Sequence, residues 1–250
     1  MRRFLLLACV ASLASFGGPR PPRALIVAAA ADLNFALDEV CTAFRAAHPD
    51  VNPQVSYGSS GNFFSQIRNG APFDLFLSAD VEYPRKLAQE GHGAADSIFL
   101  YGVGRIAVWV PARSALDPAT ALEAPSVVHI AIANPQHAPY GRAAEAAMLS
   151  MGIWDKLQPK LVLGENIAQT LQFVESGAAD VGIVALSLAT APKTRGQGRY
   201  WEIPLDRYPK IEQGGIILKD SPAARAFRDF LLSATGRDIL KRYGFFLPGA

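Results

Sequence analysis

The sequence predicts an α/β protein of two lobes, each a largely parallel sheet with helices on both faces. Three observations carry that expectation. From residue 24 onward, short apolar runs of strand length alternate with longer amphipathic stretches, the pattern of strand–helix–strand units with parallel strands. Hydrophobic residues make up 50% of the 250-residue chain, enough for one large core or two modest ones. The alternation yields about ten strands, more than one small doubly wound sheet normally holds, so they divide between two sheets.

The elements follow in order. "ALIVAAA" (24–30) reads as a strand, and 33–47 as a helix with Asp32 as its N-cap, because a short carboxylate before an apolar periodic stretch satisfies the first free N–H groups. Leu33, Leu37, Val40, Cys41 and Phe44 share a helical face, which makes Cys41 a small core residue rather than a reactive thiol. "QVSY" (54–57) is a strand, and 62–69 a helix stopped by Gly70. "FDLFLS" (73–78) is a buried strand, followed by a helix over 81–90 with Pro84 tolerated in its first turn. "RIAVWV" (105–110) and "VVHIAIA" (127–133) are strands, 140–151 a helix, "KLVLG" (160–164) a strand, 167–175 a helix and "VGIVA" (181–185) a strand. After an irregular stretch at 191–199, "IEQGGIILKD" and the segment from Ser221 return to strand and helix. No internal repeat or low-complexity segment follows residue 24, which argues against a solenoid.

The first 23 residues place Arg2 and Arg3 before an apolar run and then small and Pro-rich residues, the order of a secretory signal. The run is too short to span a bilayer; a retained anchor, or a lipid on Cys9, is the alternative. This segment carries four arginines and no acid, so the rest of the chain holds a charge of −2 against +2 for the whole. That balance offers no basic surface for nucleic acid. Beyond the leader Cys41 is the only cysteine, so no intramolecular disulfide can form in an oxidising compartment.

Four segments put small or polar residues between a strand and a helix: "AAAADLN" (28–34), "GSSGN" (58–62), "ANPQHAPYG" (133–141) and "LGENIAQT" (163–170). In open parallel sheets ligands bind at the carboxyl ends of strands, where such loops lie. Each loop also brings a helix start, whose free N–H groups and partial positive charge suit an anion; taken alone, "GSSGN" reads first as a plain turn. None of the four contains Lys or Arg. Enzyme motifs do not fit the spacing. "GSSGN" lacks the last glycine of a nucleophile elbow, the four histidines show no metal-ligand pairing, and no dinucleotide or Walker-type glycine fingerprint occurs. A Ser/His/Asp set assembled only in space remains the enzymatic alternative.

Five segments in order, "VAAAADLNFALDEV", "SYGSSGNFFSQIRNGAPFDLFLSAD", "IAIANPQHAPYGRAAEAAM", "LVLGENIAQTLQFVESGAADVGIVALS" and the terminal "KRYGF", make the sequence resemble the periplasmic molybdate-binding receptors of ABC-type importers. The resemblance implies a two-lobed type II periplasmic-binding fold with the ligand in the interlobe cleft, lobe 1 at 24–104 plus 206–250 and lobe 2 at 105–205. It implies no cofactor and no catalytic residue, a ligand that is molybdate or tungstate, and an importer permease as partner; the leader adds a periplasmic location, and a cleft that must open and shut is compatible with a single subunit. It places oxyanion ligands at Ala31 or Asp32 in the first loop, Ser60 in the second, Tyr140 in "APYG" and Ile167 in "ENIAQT", where only a main-chain N–H can serve. A tyrosine used by some members falls at Ala185 and is missing here.

Asp32 departs from that pattern. At about 4 Å from an anion and an effective dielectric near 20, a carboxylate would oppose each unit charge by about 4 kcal/mol. The favoured resolution turns its oxygen back to cap the N–H of Asn34 or Phe35, leaving main-chain N–H groups to the ligand. The alternatives are a different ligand or a protonated Asp32 that donates to it. Functionally, the resemblance yields a molybdate receptor first, then a receptor for another tetrahedral oxyanion; a periplasmic hydrolase using Ser59 or Ser60 is the alternative from a different class.

Overall fold

The computed structural model describes residues 22–247. The predicted leader lies outside them except for its last two residues, of which Arg23 opens the first strand. In the first half β1 (Arg23–Ala30), β2 (Val51–Gly58) and β3 (Leu75–Ser78) are joined by α1 (Asn34–Ala47) and α2 (Ser60–Arg68), followed by α3 (Glu82–Gln89) and β4 (Phe99–Gly104). The chain then crosses at Arg105 into β5 (Ile106–Pro111), β6 (Ile130–Ala133), α4 (Pro139–Ser150), α5 (Trp154–Leu157), β7 (Leu161–Gly164), α6 (Ile167–Ser176), β8 (Val181–Ala185), α7 (Leu186–Ala189) and β9 (Gly198–Glu202). It returns with β10 (Ile211–Ile217), α8 (Pro222–Leu232) and α9 (Ala234–Arg242).

Two five-stranded sheets result, ordered β2-β1-β3-β10-β4 and β7-β6-β8-β5-β9. β1 runs parallel to β2 and β3, and β6 parallel to β7 and β8. The strands that connect the halves, β10 and β5, enter antiparallel. Each half therefore delivers several strand ends, and the helix starts behind them, to one side. β2 is an edge strand, which accommodates Pro53, since a residue without an N–H removes no inner ladder bond.

α1 buries the expected stripe: Leu37, Val40, Cys41 and Phe44 are all buried, and Phe44 meets Phe227 and Phe230 of α8 edge-on, with ring centroids 5.0 and 5.5 Å apart. Such edge contacts suit the ring quadrupoles. Burial pushes the Cys41 thiol up to about 12, which keeps it unreactive.

Two strands went unforeseen. β4, "FLYGVG", carries two glycines that weaken a strand signal, and β9, "GRYWE", is a half-exposed edge strand whose polar residues read as loop. Gly198 lets β9 lie against the Trp109 ring of β5, where a Cβ would overlap it. β2 is longer than expected because backbone pairing with β1 runs from Arg23↔Val51 to Ala30↔Gly58, regardless of side-chain hydropathy.

At the start of α4, Gly141 sits so close to the end of β6 that a Cβ would overlap the Ala133 carbonyl oxygen. Backbone cannot yield as a flexible side chain does. Gly141→Ala is expected to destabilise the protein by about 1–3 kcal/mol, read from urea unfolding midpoints at unchanged slope.

Candidate functional site

The residues that follow β1, β2 and β3 in one half and β6 and β7 in the other border a small cavity. All five sequence-predicted positions, Ala31, Asp32, Ser60, Tyr140 and Ile167, line it, and no lysine or arginine among the described residues does. Much of the rest of its wall is small: Ala30, Gly58, Ala79 and Ala138. Short side chains leave main-chain groups as the polar surface.

Three helices begin at this wall. α2 has Ser59 as N-cap in extended backbone, its hydroxyl oxygen accepting from Asn62 N–H at 3.3 Å. The next N–H, that of Ser60, falls among the first four donors that no helix satisfies internally. The Ser60 hydroxyl accepts from Ala79 N–H at 2.9 Å, so its own proton remains free to be donated. α6 has Asn166 as N-cap, whose Oδ1 accepts from Ala168 and Gln169 N–H, both at 3.0 Å; the N–H of Ile167, the first residue of the helix, is passed over. α4 begins with Pro139, which has no N–H to leave unpaired. Gly141 N–H bonds the Ala138 carbonyl at 3.0 Å, and the N–H of Tyr140 between them has no partner among the described residues. Three unclaimed donors at helix starts give the cavity a neutral wall whose chemistry suits an anion.

Asp32 does not cap α1, which corrects the sequence expectation. A 3-10 turn, Ala31–Leu33, precedes the helix, no side chain caps either element, and Asp32 lies inside the turn instead of before the helix. Its Oδ2 accepts from the Tyr140 hydroxyl at 2.9 Å and from Gln213 Nε2 at 2.7 Å, while Oδ1 is buried with no partner. Gln213 Nε2 also reaches the Tyr140 hydroxyl oxygen at 2.9 Å. The Tyr140 hydroxyl is thereby committed to Asp32, and the cavity is left its main-chain N–H. Burial pushes the Asp32 carboxyl up from 3.8 to about 6, against the hydrogen bonds from Gln213, Tyr140 and its own N–H that favour the ion. Burial, reinforced by the Asp32 charge, also holds the Tyr140 phenol well above its ordinary range.

Gln213 was not anticipated. It stands in β10 where the ladder with β4 shifts register, and such a bulge re-aims the side chain. Gly104 of β4, close to the Gln213 amide, has no side chain; a Cβ there would overlap the Tyr140 hydroxyl. The one signal in the sequence was a polar amide, next to Glu212, in a strand that continues as glycine and isoleucine.

Other contacts tie the halves together around the cavity. Gly61 N–H donates to the His137 carbonyl at 2.9 Å, Ser59 Oγ lies 2.9 Å from His137 Nδ1, Asn62 bonds Glu165, and Arg142 donates to Asp80 at 2.7 Å and to Tyr83 at 3.1 Å. Ser187 of α7 donates to the Asp32 carbonyl at 2.8 Å. His137 Nε2 is 3.7 Å from Glu165, so Ser59, His137 and Glu165 form a line. The serine oxygen in it is also a helix cap, and the line holds the two halves together. His137 sits in a loop the sequence had marked, but histidines had been weighed only for metal spacing and for a catalytic set, not as a tie between the halves.

Two outcomes follow. A Cβ on Gly61 would stand 2.5 Å from the His137 carbonyl oxygen and 2.9 Å from the Tyr83 hydroxyl; both belong to the contact surface about the cleft, so Gly61→Ala is expected to weaken ligand binding at least tenfold while thermal unfolding of the free protein shifts little. Asp32 is raised in the folded state, so the folded protein holds that proton more tightly than the unfolded chain. Its stabilising contribution is full below about pH 4 and is lost as pH rises through about 6. Asp32→Asn, which cannot ionise, is expected to exceed wild type in unfolding free energy at about pH 8 by roughly 3 kcal/mol, the gap closing below about pH 4.

A family model described as bacterial extracellular solute-binding protein matches residues 25–246. The molybdate-binding protein ModA of Azotobacter vinelandii is 38% identical over 246 residues, covering 96% of this chain and 93% of its own. The molybdate-binding protein ModA of Rhodobacter capsulatus is 38% identical over 193 residues, covering 76% and 75%. The solved structure of the Azotobacter vinelandii periplasmic molybdate-binding protein aligns with a TM-score of 0.84 at 32% identity, covering 90% of this chain and 99% of that one. The two mixed sheets are the periplasmic-binding fold of that structure, and the hydrolase alternative falls with the match. With a binding cavity between its halves and relatives that bind solutes, the chain belongs to the bacterial extracellular solute-binding protein family.

Proposed function

We propose that the protein captures molybdate, and tungstate with it, outside the cytoplasm and presents it to the permease of an ABC importer. One observation carries the reading: unclaimed N–H groups of Ser60, Tyr140 and Ile167, with the free Ser60 hydroxyl proton, border a cavity that no lysine or arginine lines. The relatives named for molybdate supply the identity of the anion.

In this reading Ala31 contributes from the 3-10 turn, Ser60 through hydroxyl and N–H, and Tyr140 and Ile167 through N–H. All bind the oxygens of the anion and none binds molybdenum. The lobes divide at 104/105 and 205/206, and a single subunit suffices, because both sides of the cleft come from one chain. The leader at 1–23 sends it to the periplasm. Donors from both lobes meet only when the cleft is shut, so the ligand favours closure by the contacts it gains there. A smaller tetrahedron such as sulfate leaves gaps in a fixed ring of donors, and buried donors left unpaired are costly. Tungstate has nearly the same shape and charge as molybdate.

Calorimetric titration with molybdate, tungstate, sulfate and phosphate tests this. Tight binding of the first two and weak binding of the others is expected, with Ser60→Ala losing roughly 10- to 100-fold, as for a hydrogen bond to a charged group of about 1.5–3 kcal/mol. Tight phosphate binding with no molybdate heat would overturn it.

A further inference from the structure

We propose that Asp32 is a carboxylic acid in the bound state and donates its proton to the oxyanion, so that capture of a tetrahedral dianion takes up one proton. The proposal rests on the receptor reading above and assigns Asp32 a role that the other cavity residues cannot fill.

The bonding around the carboxyl is lopsided. Both donors from other residues, the Tyr140 hydroxyl and Gln213 Nε2, converge on Oδ2, while Oδ1 is buried and receives none from any other described residue. An ionised carboxylate shares its charge over two oxygens, and each seeks donors. A carboxylic acid has one acceptor, its carbonyl oxygen, and one donor, its hydroxyl. With Oδ2 as carbonyl and Oδ1 as hydroxyl, two acceptor contacts are filled and one donor is left over, on a residue that lines the cavity. An anion there needs a donor.

The surroundings permit no other way to neutralise the charge. The turn carrying Asp32 packs on α1, α6, α7 and β2, with α4, β4 and β10 completing the environment. The groups that face the carboxyl are the Tyr140 phenol from α4, the Gln213 amide from β10 and the Tyr101 phenol from β4, and burial keeps both phenols protonated. α7 contributes Ser187, which donates to the main-chain carbonyl. The charged groups of α1 are engaged elsewhere: Asp38 with the Tyr57 hydroxyl of β2 and Glu39 with Arg242. Glu175 of α6 accepts Arg113 through its carbonyl on the exposed side. Among the described residues no lysine, arginine or histidine acts on the Asp32 carboxyl. Burial, even against the hydrogen bonds that favour the ion, already lifts it to about 6, and a dianion beside it lifts it further. Between the free and bound values, binding takes up a proton, and affinity falls as pH rises, by up to about tenfold per pH unit.

Titration of wild type with sodium molybdate near pH 7, in buffers of different ionisation enthalpy, reads the proton count. About one proton per molybdate and an affinity that weakens between about pH 7 and 8 are expected. Asp32→Asn keeps an acceptor and a donor in the same places, and it is expected to bind with near-zero uptake and little pH dependence. Tight binding with no proton uptake overturns the proposal and leaves the receptor reading standing; no molybdate binding at all removes both. Uptake that persists in Asp32→Asn but vanishes in His137→Gln also overturns it, by assigning the proton to the histidine beside Ser59. Infrared difference spectra of wild type, which need no variant, are expected to gain a protonated-carboxyl C=O band on molybdate addition, and absence of that band contradicts the proposal.

Discussion

Peptide N–H groups that a helix cannot use must find an acceptor elsewhere, and three of them, at Ser60, Tyr140 and Ile167, open onto one small cavity. A buried donor without a partner is costly, so the cavity is tuned to whatever supplies oxygens in the right places. The parallel strands β1, β2, β6 and β7 bring those helix starts together. The capping residues Ser59 and Asn166 satisfy the deeper N–H groups and leave the first one free. Pro139 at the start of α4 has no N–H of its own to pair. Fixed dipoles of this kind need no reorganisation on binding and carry no long side chain to be ordered, which distinguishes them from lysine or arginine.

The cavity and the contacts that join the two halves share parts. Tyr140 begins a helix whose N–H faces the cavity, and its ring carries a hydroxyl to Asp32 of the opposite lobe. Gln213, re-aimed by the register shift in β10, braces both. Gly104 supplies the room. The strand that returns the chain from one half to the other thus bonds directly to Asp32.

Much of this was legible in the sequence. Alternating apolar runs and amphipathic stretches revealed the parallel units because both faces of such sheets are buried. The four strand-to-helix loops marked the places where small residues and caps meet. What escaped depended on tertiary context. An aspartate before a helical stretch reads as a cap, but the 3-10 turn at Ala31–Leu33 carries Asp32 inward to partners 108 and 181 residues away. Gln213 was hidden because a register shift has no local signature, and His137 because its neighbours Ser59 and Gly61 come from the other lobe.

The central claim is that neutral donors at helix starts, with an acid at Asp32 and without a lysine or arginine, hold the bare dianion between the lobes. A crystal structure of the protein with molybdate tests it most directly. The account expects the metalate within the cavity, its oxygens at roughly 2.7–3.2 Å from the Ser60 hydroxyl and N–H and from the N–H groups of Tyr140 and Ile167. A metalate bound elsewhere, or one balanced by an arginine or lysine side chain, would contradict it.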